Sequence, residues 1–254
     1  MTFITIFSLA VIIILSFAVI LGKNWYILKK IAEPVAVLDL QCNPEMYIKM
    51  NKDILNKKII KNRIEYFFVT LNISVGYFSN GNIEKAISTA KNIPLDKLEK
   101  NFSFKIAYYY NLSTFYAMEG NRTMVKYYNT YLQECYENFE SASKNKNTQT
   151  KNFYIGDKNR ILNQLKKLTE EVSIHINRLD GEYQKVIDYY EKKLQQKNPL
   201  CSNCFSRYYQ ALCYEKLGDI PAMKEALMYV AEHGNKLYIA IEGRKTLNKY
   251  NWKN

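Results

Sequence analysis

Four turns of one kind divide this chain: Gly81-Asn82, Gly120-Asn121, Gly181-Glu182 and Gly218-Asp219. Glycine enters the left-handed conformation without a Cβ penalty, so it can end one helix and turn the chain into the next. The glycines lie 39, 61 and 37 residues apart. The polar, aperiodic stretch 141–156 reads as a loop that inflates the longest interval. Between the turns, apolar residues recur at spacings of three and four, with no sustained strand-type alternation. Pro and Gly are few, at 5 and 9. These observations predict an all-α fold: an α-solenoid of antiparallel helix pairs, two helices per period.

Within the pairs a second pattern repeats. A small residue is followed three positions on by an aromatic and four further by the glycine: Ser74, Tyr77, Gly81; Ser113, Tyr116, Gly120; Ala211, Tyr214, Gly218. The small residue lets two helices approach and the tyrosine fills the space beside it. Five residues after each glycine stand Ala86, Val125, Val186 and Met223. This pattern resembles the tetratricopeptide repeat family, whose period is about 34 residues. The resemblance covers 59–232. It is degenerate: the unit ending at Gly181 has Ile174 and Asn177 in place of the small residue and the aromatic, and Thr70, Tyr109 and Arg207 stand where the family has Trp. The resemblance implies a scaffold or adaptor that binds a protein or peptide, without catalysis. In such a solenoid the first helix of each pair lines the concave wall, which would turn Lys105, Tyr109, Arg207 and Gln210 toward a partner.

Ahead of this array, the first 22 residues contain no charged side chain, and Lys23 closes the run. Twenty helical residues span about 30 Å, the hydrocarbon thickness of a bilayer. A cleaved signal peptide has a charged start and a shorter apolar stretch, so residues 2–21 read as an uncleaved, single-pass anchor. Lys23, Lys29 and Lys30 follow it, and the positive-inside rule then places the C-terminal domain in the cytoplasm. The expected organisation is an anchor at 1–22, a connector at 23–42 interrupted by Pro34, and a helical domain at 43–254. Asn43-Pro44 reads as a helix cap followed by Pro at the first helical position. A capping helix is expected at 237–250.

The net charge is +12. One reading is a basic, membrane-proximal domain that binds nucleic acid or anionic lipid in a regulatory role. Against nucleic acid, the densest basic stretch, 144–167, carries no aromatic–basic RNA motif and no helix-turn-helix pattern. Solvated lysine-rich faces account for the charge more simply.

No catalytic residue, metal site or cofactor is expected. The chain has no phosphate-binding Gly-rich loop, no His-Glu-x-x-His and no serine nucleophile elbow. Cys201-Ser202-Asn203-Cys204 precedes a helix expected from Ser206, whose positive end could lower a thiol pKa, so a thiol redox role is the alternative chemistry. His175 sits among Val172, Ile174 and Ile176 as a core histidine, and His233 before Gly234 complements a helix C-terminus.

Overall fold

A computed structural model describes residues 29–56, 64–98, 102–144 and 158–250. The apolar run 2–21 and residues 145–156 of the polar stretch lie outside them; residues 141–144, expected in the loop, are helical instead. Among the described residues the chain is all-helical, without a strand, and no helix is long and apolar enough to cross a membrane. The helices are α1 (29–41), α2 (Pro44–Leu55), α3 (Ile64–Ser79), α4 (Ile83–Lys91), α5 (Phe102–Glu119), α6 (Arg122–Lys144), α7 (Lys158–Leu179), α8 (Tyr183–Leu194), α9 (Leu200–Leu217), α10 (Ile220–His233) and α11 (Tyr238–Lys249). A short 3-10 turn at Leu95–Leu98 precedes α5.

Each glycine turn closes in the same way. Gly81, Gly120, Gly181 and Gly218 have φ between 75° and 86°. The residue after each donates its N–H five positions back: Asn82 to Tyr77, Asn121 to Tyr116 and Glu182 to Asn177 at 2.9 Å, and Asp219 to Tyr214 at 3.0 Å. The glycine N–H bonds three positions back, which completes a Schellman stop. In three of the four turns the next side chain caps the following helix. Asn82, Asn121 and Asp219 accept from the N–H groups of Lys85, Met124 and Ala222 at 3.1–3.2 Å. One tetrapeptide thus ends one helix and begins its antiparallel partner.

A related turn joins α1 to α2, with left-handed Cys42 in the place of glycine but a looser closure, since the Cys42 N–H bonds four positions back, to the Leu38 carbonyl at 3.2 Å. The Cys42 φ is 50°, the Asn43 N–H reaches back to the Val37 carbonyl at 3.5 Å, and Asn43 caps α2 through the Met46 N–H at 3.2 Å. Cys42, Gly81 and Gly120 stand 39 residues apart in turn. The array therefore begins one hairpin earlier than glycine spacing indicates. The stretch read as a connector is, from 29 on, a helix that runs through Pro34. That proline is buried, and Leu38 and Cys42 belong to the core, so packing outweighs the lost backbone hydrogen bond. Likewise α9 starts at Leu200, six residues before Ser206. Burial of Cys201, Cys204 and Ser206 overrides the weak helix preference of Cys-Ser-Asn-Cys.

The residues five after each glycine, Ala86, Val125, Val186 and Met223, are at most 1 % exposed. Ser74, Ser113 and Ala211 are buried as well. Ser74 and Ser113 each turn the hydroxyl onto the carbonyl of their own preceding turn. Neighbouring turns are tied from outside: Arg122 pairs with Asp180 through two hydrogen bonds, and Arg178 donates to the Ala117 carbonyl at 2.5 Å.

The array curves until its ends meet. The Lys236 N–H donates to the Cys42 carbonyl at 3.2 Å, and the Asn235 amide to the Gln41 carbonyl at 2.7 Å. The Lys236 ammonium pairs with Glu45 at 2.9 Å. Helix α11, expected as a simple cap, packs on α9 and α10 and also reaches the first hairpins, with Tyr238 against Gly81 and the Phe78 ring. A Cβ on Gly81 would lie 2.9 Å from Tyr238 Cβ, whereas one on Gly120 meets nothing within 4 Å. In urea titrations Gly120→Ala should therefore lose about 1 kcal/mol, the left-handed penalty alone. Gly81→Ala should lose about 2–3 kcal/mol because closure is strained as well. Equal losses would show that Tyr238 does not press on this turn.

Candidate functional site

The first helices of the successive pairs face one another across a central cavity of about 310 Å³. On one side its wall is aromatic. Phe78 of α3 stacks on Phe115 of α5 at 4.9 Å and on Phe205 of α9 at 5.4 Å. Three inner helices are joined through these rings, with centroid distances inside the usual range for favourable aromatic pairs.

The other side is polar. Glu171 of α7 and Lys193 of α8 form an ion pair at 2.6 Å, with side chains 15 % and 20 % exposed. Burial, and then the Glu171 charge beside it, push the Tyr110 phenol of α5 up, so it stays a protonated donor next to that carboxylate. One turn on from Glu171, His175 packs its ring edge against Tyr209 at 4.8 Å, and Tyr209 stacks on Tyr190 at 5.5 Å. All three line the cavity. The His175 Nδ1 and the Tyr190 and Tyr209 hydroxyls are buried in its wall without a hydrogen-bond partner. Burial, with the Arg178 and Lys193 charges adding to it, pushes the His175 imidazole down to about 3, so at neutral pH it is uncharged. Burial raises the Tyr190 and Tyr209 phenols, which stay protonated donors. The wall therefore offers hydroxyl donors and a neutral imidazole beside a compensated ion pair. It is equipped to hydrogen-bond a polar group next to an apolar one.

None of the four residues expected on the concave wall lines this cavity. Tyr109 stacks on Tyr131 of α6 at 5.2 Å, inside its own hairpin, and Lys105 lies near Cys135 of the same helix. Gln210 is fully buried and its amide donates to the Ile187 carbonyl at 3.4 Å. Arg207 bonds Gln210 and stands over the Tyr229 ring of α10. Tyr110, Thr114, Ser202, Ser206 and Tyr209 line the cavity instead. A shift of one residue turns a side chain by about 100° around a helix, enough to move it from the inner wall to the hairpin interface. Glu171 and Lys193 carried no sequence signal, since their partnership joins two helices.

His175 is a core histidine, 1 % exposed, as its apolar neighbours indicate. His233 ends α10 with its ring 4.4 Å from that of Tyr229. Cys201 and Cys204 fall in the first two turns of α9, but hydrogen bonding to Cys42 and burial push both thiols up. Among the described residues no group of three or more His, Cys, Asp or Glu is arranged to hold a metal ion. Compared with protein-family models, with curated proteins and with solved structures, the chain matches none.

Proposed function

We propose that this chain is a non-catalytic adaptor of tetratricopeptide-like design. Residues 2–21 anchor it in a membrane, the helical domain lies on the cytoplasmic side, and the domain takes a polar side chain or chain end of a protein partner into the central cavity. The observation that carries this reading is the set of buried polar atoms without partners in the cavity wall, on His175, Tyr190 and Tyr209. An unsatisfied buried polar group costs about 1–3 kcal/mol. A partner group that pairs with these atoms recovers that cost, while the Phe78, Phe115 and Phe205 rings receive its apolar portion. The volume, about 310 Å³, is at the low end for ligand pockets, which run from ~300 to ~1,000 Å³. It suits one side chain or a terminus better than a long extended peptide.

A photo-reactive residue introduced at Ser202, on the cavity wall, should form a discrete partner adduct in native membranes. One at Lys192, on the exposed face of α8, should not. Thr114→Trp, which fills the cavity, should abolish the Ser202 adduct while the far-ultraviolet circular dichroism stays helical. Adducts from Lys192 alone, or a Ser202 adduct indifferent to Thr114→Trp, would sink the cavity reading. Topology needs a new reporter, because all five native cysteines are buried. A cysteine introduced at exposed Lys197 should react with a membrane-impermeant thiol reagent only after lysis. Labelling of intact cells would reverse the orientation.

A further inference from the structure

Three of the five cysteines converge on one point, although 159 residues separate Cys42 from Cys201. Cys42 at the end of α1 and Cys201 and Cys204 in the first two turns of α9 share one apolar cluster with Leu237, Ile239 and Ala240. Cys42 and Cys204 are fully buried, and Cys201 is 7 % exposed. Cys201 also lines the central cavity beside Leu38 and Asp39 of α1. Hydrogen bonding from the Cys201 and Cys204 thiols, against the opposing effect of burial, pulls the Cys42 thiol below its ordinary range. The arrangement favours Cys42 as the anionic member, held by two thiol donors at the positive end of α9.

The backbone points the same way. Cys42 occupies the left-handed position that glycine fills in the four other turns, at a strain of about 1–2 kcal/mol. Glycine would relieve that strain, so what the turn gains from cysteine is its side chain, delivered into the cluster. The Lys236 N–H bond to the Cys42 carbonyl holds that side chain at the seam where the two ends of the array meet.

We propose that Cys42 and Cys201 form an oxidation site, at which a hydroperoxide converts the two thiols into a disulfide that fastens α1 to α9 across the seam. This is independent of the adaptor reading. The Cys42 thiolate attacks one oxygen of hydrogen peroxide. The O–O bond breaks, and the departing hydroxide takes up a proton to leave as water. Cys42 is now a sulfenic acid. The Cys201 sulfur attacks the Cys42 sulfur and gives up its proton. The S–O bond breaks and a second water leaves. Together the two thiols lose two electrons and two protons, and one peroxide becomes two waters. Cys201 lines the cavity, and peroxide, little larger than water, passes from there to the Cys42 sulfur packed in the same cluster. Cys204 stays a thiol and acts as a positioning residue, donating to the Cys42 sulfur. Cys135 and Cys213 lie in other clusters and take no part.

The test uses the full chain in detergent, exposed to a few equivalents of hydrogen peroxide. It reads non-reducing peptide mass mapping and thermal unfolding with and without reductant. The expected products are a Cys42–Cys201 linked peptide and a rise in unfolding midpoint on the order of 5 °C, reversed by reductant, because the cross-link restricts the unfolded chain. Cys42→Gly installs the residue the other turns use, so it should fold and show neither the link nor the shift. Cys204→Ala should form the link several-fold more slowly. A Cys201–Cys204 link, sulfinic acid at Cys42 without any link, no reaction at all, or one equivalent of zinc protecting all three thiols would each overturn the proposal.

Discussion

Replacing Phe78 with alanine should lower the unfolding free energy by about 4 kcal/mol, in the middle of the ~3–5 kcal/mol that losing one buried aromatic costs. Phe78 is 5 % exposed. Its ring touches Phe115 at 4.9 Å, Phe205 at 5.4 Å and Tyr238 at 6.3 Å, so one side chain links α3 to α5, α9 and α11. In an open array each repeat contacts only its neighbours, and a core deletion weakens one interface. Here the deletion also loosens the contact between the beginning and the end. The urea transition of Phe78→Ala should therefore become shallower as the helices of the second half begin to unfold apart from the first. Leu132→Ala, which removes a fully buried side chain inside one hairpin, should cost about 2–5 kcal/mol and keep a single steep transition. A Phe78→Ala loss under about 1.5 kcal/mol would mean that the ring stack does not hold the seam.

The helical hairpins were legible because their cause is local. A glycine that must be left-handed and a Schellman stop are properties of a few consecutive residues, and the four turns fall where Gly81, Gly120, Gly181 and Gly218 stand. The related turn was not legible, because Cys42 adopts the same conformation against its own preference, and only the bonds around it show why. The closure of the array was hidden for a different reason. The Lys236 and Asn235 bonds to the α1–α2 turn join residues more than 190 apart, and no periodicity encodes such a contact. The inner wall lay between the two cases. The inner helices were identified, but their rotation depends on which face meets the next repeat, and Tyr110 rather than Tyr109 faces the cavity. Cys201-Ser202-Asn203-Cys204 stood out in the sequence, while nothing in it tied Cys42 to that motif.

His175 should make the domain lose stability as the pH falls from about 6.5 toward about 3. In the folded chain burial, then the Arg178 and Lys193 charges, hold the imidazole neutral down to about 3, against about 6.5 when unfolded. Throughout that window the unfolded chain binds a proton that the folded chain refuses, so acid favours unfolding. The full contribution is present above pH 6.5. It then declines at about 1.4 kcal/mol per pH unit, which amounts to a few kcal/mol by pH 4. His175→Phe keeps an aromatic ring beside Tyr209 and removes the titration. The difference in unfolding free energy between wild type and variant should be constant above pH 7 and shrink steadily below pH 6.5. Asp39, which burial pushes up, and the other carboxylates titrate in both proteins and cancel in that difference. If the difference stayed flat to pH 4, the imidazole would be gaining its proton in the folded state. Its Nδ1 would then have a hydrogen-bonding partner that stabilises the cation, and the wall would lack one of the unsatisfied groups on which capture of a partner depends.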